Sequence, residues 1–174
     1  DRTEFKEEFR ITRSDGDVRW LEIIANIERD PAGSPVRVYG VNLDITDRKA
    51  IAERIRSSEA QLRLITDSIP ALVSYIDRSE RYRFVNRRYS EWFGIERDEI
   101  VTHTMTEILG SSARDSLKPR IDEVLTGVTV SFESWLNYPA AGRRYVHVSY
   151  VPDISEAGEV AGFYALVTDL TAQK

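Results

Sequence analysis

Three segments near the start of the chain are runs of apolar and β-branched residues bounded by turns, which is typical of β-strands. They are residues 6–13, 18–27 and 36–45, and turns at Asp15-Gly16 and Pro31-Ala32-Gly33 separate them. The pattern predicts a three-stranded antiparallel sheet. Because a sheet this small buries too little surface to be stable alone, we expect it to pack against the second unit, a partner chain or a front half that precedes it.

The next stretch, residues 47–69, predicts a helix with a narrow hydrophobic seam. We expect Asp47 to cap its start and Pro70 to end it. The a and d positions of a heptad repeat are taken, apart from Ser58, by Ile51, Ile55, Leu62, Ile65 and Ile69. Such a seam is typical of a helix that pairs with another helix. We therefore expect a homodimer through this helix, with an unpaired solvated connector as the alternative.

From residue 70 onward the pattern changes to two short strands, several short helices and three long strands. Asn86 is expected to cap a helix over residues 87–93, and Thr104 and Glu107 have the spacing of a capping box. The final strands are rich in β-branched and aromatic residues, as expected of antiparallel strands with one covered face. The fold class is therefore predicted to be α+β.

The chain contains an internal repeat. Residues 19–49 align without a gap on residues 144–174, and the identities include Arg19 with Arg144, Gly33 with Gly158, Tyr39 with Tyr164, Asp44 with Asp169, and Thr46 with Thr171. An ungapped match through a turn and two strands indicates a repeated structural unit. We expect residues 1–46 to be the C-terminal half of a unit whose complete second copy is residues 70–174.

Several short motifs occur in a specific order along the chain. They are Phe84-Val85-Asn86, Phe93-Gly94, Leu125-Thr126-Gly127, Phe132-Glu133 and an Asp-x-Thr triplet that closes each copy of the repeat. This order resembles the PAS fold with its C-terminal PAC segment, although Thr102 stands where the family often has Gly. The resemblance implies a PAS-like five-stranded antiparallel sheet with short helices on one face, often with a ligand cavity between them. Before it would come a three-stranded partial unit (residues 1–46) and a signalling helix (residues 47–69).

Composition limits the ligands and partners. The absence of cysteine excludes disulfides, thiolate catalysis, a cysteinyl-flavin adduct and a thioester-linked chromophore. Haem is disfavoured, because the stretch that matches the family's haem-ligating helix has no histidine; a non-covalent flavin or another small molecule stays open. The net charge of −5 argues against nucleic-acid binding, despite a cluster of arginines within residues 78–88. No apolar run is long enough to span a membrane, and we expect a cytoplasmic location.

Candidate site residues fall into two groups. If the strands pair as in the family, Trp135, Asn137 and Tyr150 face inward and are candidate pocket residues. The alternative is that Trp135 and Tyr150 fill the core and Asn137 bonds to the backbone. The resemblance also implies that Asp44 with Thr46, and Asp169 with Thr171, couple a last strand to the helix that follows. His103 and His147 have no ligand-spaced partners, so no metal site is predicted.

These observations predict a sensory or regulatory module of a larger signal-transduction protein. It would sense a small ligand or relay a signal through the dimeric helix to an output domain beyond Lys174, such as a histidine kinase or a cyclic-dinucleotide enzyme. A ligand-free dimerisation scaffold is the alternative. An enzyme that uses Glu133 or Asp153 as a general base is disfavoured, because no second carboxylate is positioned for acid–base work.

Overall fold

The computed structural model describes residues 2–173, with side chains from Glu4 onward, and it divides into two compact units, residues 1–61 and 62–174. The described part of the first unit contains an antiparallel sheet in the order β1-β2-β3, followed by the start of a long helix. The elements are β1 (Arg2–Thr12), β2 (Val18–Arg29), β3 (Pro35–Asp44) and α1 (Thr46–Ser68). The three strands therefore occur where the sequence predicts them.

Helix α1 begins one residue earlier than predicted. Asp47 lies within its first turn, so the prediction that Asp47 caps the helix is wrong. Asp44 takes that role in part, because its Oδ1 accepts the backbone N–H of Thr46 at 3.0 Å. The seam residues of α1 from Ile51 to Ile65 are between 53% and 59% exposed, and Ile69, just past its end, is half-buried.

The second unit is a five-stranded antiparallel sheet with helices over one face. Within the described residues its strand order is β5-β4-β8-β7-β6. The elements are β4 (Ala71–Asp77), β5 (Tyr82–Val85), α2 (Arg87–Phe93), α3 (Arg97–Ile100), α4 (Met105–Leu109), α5 (Ser111–Val124), β6 (Val130–Tyr138), β7 (Gly142–Ile154), β8 (Val160–Asp169) and a 3-10 turn, Thr171–Gln173. The α+β class and the five-stranded sheet are confirmed.

The internal repeat is a structural repeat. Leu21 pairs with Asp44 between β2 and β3, and the equivalent residues Val146 and Asp169 pair between β7 and β8. The turns between these strands also match, since Gly33 and Gly158 have φ values of 85° and 80° and each closes the same hydrogen bond to the residue three before it. A left-handed backbone favours glycine at this position.

The hydrophobic core of the second unit lies between the sheet and the helices. Inward residues of β7, Val146, Val148 and Tyr150, alternate with half-exposed neighbours, as predicted. The capping box of Thr104 and Glu107 at α4 is confirmed. Asn86 stands at the N-cap position of α2, as predicted, but its side chain makes no cap hydrogen bond. Its amide bonds elsewhere, as described below.

Candidate functional site

The first candidate site is the junction between β3 and α1. Thr46 Oγ1 accepts the backbone N–H of Trp20 at 2.9 Å, and the backbone N–H of Ile45 donates to the carbonyl of Trp20 at 2.8 Å. Hydrogen bonds from the side chain and backbone of Thr46 lower the pKa of Asp44, so this carboxylate stays charged and holds the turn. The start of the helix is thereby fixed to the middle strand of the sheet.

A charged network strengthens the same junction. Glu22 is buried on β2, and its Oε1 lies 3.2 Å from Arg48 Nη2 and 3.3 Å from Lys6 Nζ. Arg48 also contacts Glu8 at 3.1 Å, and Lys49 pairs with Glu8. Hydrogen bonds from Arg48 and Lys6 lower the pKa of Glu22 although burial opposes them. The first turn of α1 is therefore attached to two strands by ion pairs.

Sequence reasoning missed this network. The signal was available, because the antiparallel register sets Glu8 directly opposite Glu22, and two like charges at one cross-strand position require a cation between them. Arg48 and Lys49 follow the Asp-x-Thr triplet directly and supply that charge.

The second Asp-x-Thr triplet repeats the first junction. Thr171 Oγ1 accepts the backbone N–H of Tyr145 at 3.0 Å and donates to Asp169 Oδ1 at 2.5 Å. Asp169 also accepts from the Thr171 backbone at 2.9 Å and lies 3.4 Å from Arg144. Burial opposes ionisation of Asp169, but the bonds from Thr171 and the charge of Arg144 lower its pKa. Each triplet thus ties the end of its last strand to the neighbouring strand.

The far end of α1 is held within the second unit. The side-chain amide of Asn86 donates to the carbonyls of Thr66 and Ala71, both at 2.9 Å, and its oxygen accepts the N–H of Val73 at 3.1 Å. Asp67 accepts the backbone N–H of Arg87 at 2.7 Å and pairs with Arg97 at 3.2 Å. The last turn of α1 is therefore bonded to the first strand and first helix of this unit.

A cavity of about 590 Å³ lies between the sheet and helices α2, α4 and α5 of the second unit. This volume falls within the range of small-molecule pockets. Its walls are mostly apolar and include Leu72, Met105, Leu117, Val148 and Val167. Tyrosine rings contribute the rest of the surface from several elements. The place and character of the cavity suit a small organic ligand.

The predicted pocket residues have different positions. Tyr150 lines the cavity and is 3% exposed. Trp135 and Asn137 also line the cavity, but Trp135 is 45% exposed and Asn137 is exposed as well. Their cross-strand partners, Tyr145 and Arg143, also lie on the outer face. The predicted phase of alternation along β6 is therefore wrong by one residue, because Leu136 and Tyr138 are the more buried side chains. The role of Trp135 and Asn137 as pocket residues stays a prediction.

The remaining titratable candidates lie outside the cavity. Glu133 accepts a hydrogen bond from the hydroxyl of Tyr145 at 2.7 Å and lies 4.0 Å from His147, whereas Asp153 accepts from Tyr75 at 2.8 Å. Neither carboxylate borders the cavity. His103 bonds the carbonyl of Glu99 in a turn. Among residues 2–173, no cluster of three or more His, Asp or Glu could hold a metal ion, and no helix is long and apolar enough to cross a membrane.

Comparison with known proteins places these features in context. Family models described as the PAS fold match residues 66–174 and residues 1–42. The probable diguanylate cyclase DgcE of Escherichia coli (strain K12) is 26% identical over 99% of this chain and 16% of its own length. The two-component sensor PprA of Pseudomonas aeruginosa is 27% identical over 95% of this chain and 18% of its own length. The chain therefore spans less than a fifth of these two relatives.

Solved structures support the fold. The PAS domain of an HTR-like protein from Haloarcula marismortui superposes with a TM-score of 0.55 at 20% identity, covering 70% of this chain and 99% of that one. At this identity the likeness concerns the fold alone.

Proposed function

This chain belongs to the PAS-fold family, and we propose that it is a sensory and relay module of a larger signalling protein. The observation that carries the proposal is the sheet-to-helix junction, which occurs twice with the same hydrogen bonds at Asp44-Thr46 and Asp169-Thr171. The similarity to segments of a diguanylate cyclase and a two-component sensor supports an output domain of the cyclic-dinucleotide or kinase type. The cytoplasmic location expected from the sequence is part of this proposal.

The relay element is α1. Its first turn is bonded to the sheet of the first unit through Thr46 and Arg48, and its last turn is bonded within the second unit through Asn86 and Asp67. A change in either sheet then acts directly on one end of the helix. Helices held in this way can switch between two packing arrangements that differ by a few kcal/mol.

We propose that α1 pairs with its copy in a second chain. Ile51, Ile55, Leu62 and Ile65 form a seam whose residues are all more than half exposed, and burial of each such side chain contributes roughly 1.5–3 kcal/mol. Analytical ultracentrifugation tests the pairing. Ile65→Asp should shift the chain to a monomer, whereas Leu64→Asp, which alters an exposed leucine off the seam, should leave it dimeric. A monomeric wild-type chain would refute this part.

The input is proposed to be a small ligand in the cavity, and the module itself to be non-catalytic. The apolar lining and the 590 Å³ volume support this input. A ligand-free scaffold is the competing function. Native mass spectrometry of the chain before and after unfolding separates the two, since a sensor should release a stoichiometric small molecule or take one up when it is supplied.

The relay is tested in the full-length protein. Asp44→Ala and Asp169→Ala each remove the carboxylate that holds a junction turn, and each should alter output activity while circular dichroism stays unchanged. Asp98→Ala, which removes an exposed carboxylate at α3, is the matched control and should behave as wild type. Wild-type regulation in both junction variants would overturn the proposal.

A further inference from the structure

The tyrosines that line the cavity are buried, whereas its serine and asparagine lining residues are exposed: Ser111, Ser112, Ser116 and Asn137. The hydroxyl of Tyr89 shares a hydrogen bond with Ser74 at 2.8 Å, and the ring of Tyr82 packs 5.7 Å from that of Tyr89. Tyr138 and Tyr150 differ, because within residues 2–173 no hydrogen-bond partner is present for either hydroxyl. Both side chains are more than nine-tenths buried, at 7% and 3% exposure. Two donors are therefore left for a ligand.

These two hydroxyls open onto the cavity. In the described part of the chain, every fully enclosed polar side-chain atom has a partner, so an unpartnered hydroxyl must border free space, and both tyrosines line the cavity. Their rings are fixed by neighbouring aromatics: Tyr150 lies 5.0 Å from Phe163, and Tyr138 lies 5.4 Å from Phe93. Rigid rings hold the hydroxyls in place before a ligand arrives, which favours binding.

Further donors come from α5. Its first residues, Ser111, Ser112 and Ala113, line the cavity, and no side chain caps this helix. The first backbone N–H groups of a helix have no partner within it. A backbone N–H only donates, whereas a tyrosine hydroxyl can donate as well as accept. Because the helix start and the two tyrosines line the same space, a ligand that carries acceptors can pair with all of these groups.

No charged side chain lines the cavity among the residues that the structure describes. Arg114, the nearest cation along α5, is paired with Glu80 at 2.7 Å. Burial raises the pKa of Tyr150 and of Tyr138, so both remain neutral donors at physiological pH. A helix terminus stabilises an anion by less free energy than the loss of its hydration costs. Neutral acceptors are therefore favoured over anions.

We infer that the cavity selects an uncharged, largely apolar molecule whose hydrogen-bond acceptors meet Tyr138, Tyr150 and the first turn of α5. This inference rests on the proposed ligand-sensing function and adds the chemical class of the ligand. It excludes carboxylates, phosphates and amines from the inner cavity, because each would lose its hydration without a counter-charge.

Three naphthalenes of similar size test the inference by isothermal titration calorimetry. 2-Acetylnaphthalene is neutral and has an acceptor, 2-naphthoate is anionic, and 2-methylnaphthalene has no acceptor. The acetyl compound should bind at least about fivefold more tightly than the other two, the gain expected from one satisfied buried hydrogen bond. Tyr150→Phe or Tyr138→Phe should remove most of that preference and leave the affinity for 2-methylnaphthalene unchanged.

The control is Tyr164→Phe, since Tyr164 is half exposed and does not line the cavity; this variant should bind all three compounds as wild type does. Equal or tighter binding of 2-naphthoate would overturn the ligand class while leaving a ligand sensor in place. Binding of none of the three would also overturn it. The relay function is judged separately, by the output of the Asp44 and Asp169 variants.

Discussion

The substitution Asn86→Ala tests how the far end of α1 is held. Asn86 is 0% exposed, and its amide joins three backbone groups, the carbonyls of Thr66 and Ala71 and the N–H of Val73. Alanine fits the space but makes none of these bonds. The perturbation therefore removes the contact between the helix end and the sheet without adding steric strain.

The expected cost follows from these bonds. Leaving a buried polar group unpaired costs about 1–3 kcal/mol, and two of the three bonds are only partly buried. We expect the second unit to lose roughly 3 kcal/mol of unfolding free energy. With a urea m-value of about 1–3 kcal/mol/M, its midpoint should fall by roughly 1–3 M. Tryptophan fluorescence in a Trp20→Phe background reports this unit alone, because Trp92 and Trp135 both lie in it.

Two variants separate the contributions. Asn86→Asp keeps an acceptor for the N–H of Val73 but places a carboxylate oxygen against the carbonyl oxygens of Thr66 and Ala71. It should therefore lower the unfolding free energy of the second unit at least as much as Asn86→Ala does. Asn137→Ala removes an exposed amide and should change the unfolding free energy by less than about 0.5 kcal/mol. A loss below about 1 kcal/mol in Asn86→Ala, with an unchanged m-value, would refute the reasoning.

Further predictions concern the junction and the cavity. The pKa of Asp169 is lowered in the fold, so its charge stabilises the folded state above the unfolded pKa, and this stabilisation is lost as pH falls below about 4. Asp169→Asn should therefore flatten the fall in melting temperature between about pH 5 and pH 2. Asp115→Asn, at an exposed carboxylate, should not. Ala165 lines the cavity, so Ala165→Leu should abolish binding of 2-acetylnaphthalene while the circular dichroism spectrum stays unchanged. Ala161→Leu, on the exposed face of the same strand, should bind the compound as wild type does. Retained binding in Ala165→Leu would place the compound outside the cavity. Arg114→Met breaks the pair with Glu80 that holds the start of α5 beside the cavity, and it should raise the dissociation rate of the same compound several-fold in stopped-flow experiments. The control is Lys118→Met, at a partly exposed lysine of the same helix that pairs with Asp122 rather than with Glu80. Equal rates in the two variants would contradict the role of the Arg114 pair.

Sequence patterns predict most of the architecture. The ungapped alignment of residues 19–49 with residues 144–174 identifies a pair of strands whose register is the same in both units. Alternation on β7, together with the strand pairing that the PAS resemblance implies, places Tyr150 on the inner face, as the structure has it. The same alternation on β6 fails for Trp135 because the phase depends on which residue pairs across the strand, and a shift of one residue moves each side chain to the opposite face.

Side-chain amides and charges are harder to predict, because their partners are distant in the chain. Asn86 has the sequence context of a helix cap, yet the carbonyl of Thr66 and the backbone of Val73 compete successfully for its amide. Local spacing identifies a residue that can cap a helix, but not whether a tertiary partner binds it first. The ion pairs of Glu22 depend likewise on the packing of α1 against β2, which no local pattern contains.

The two junctions share a turn but differ in what secures it. The hydrogen bonds of Thr46 to Trp20 and of Thr171 to Tyr145 are equivalent. The position of buried Glu22, with its cations, is taken in the second copy by His147, which lies 4.0 Å from Glu133. Removing every cation from a buried carboxylate leaves an unpaired charge at high cost. When α1 separates from the first sheet, Arg48 leaves Glu22, whereas Lys6 lies on β1 of the same sheet and remains paired with it. Loss of the helix contact therefore weakens the pairing of Glu22 without leaving its charge unpaired.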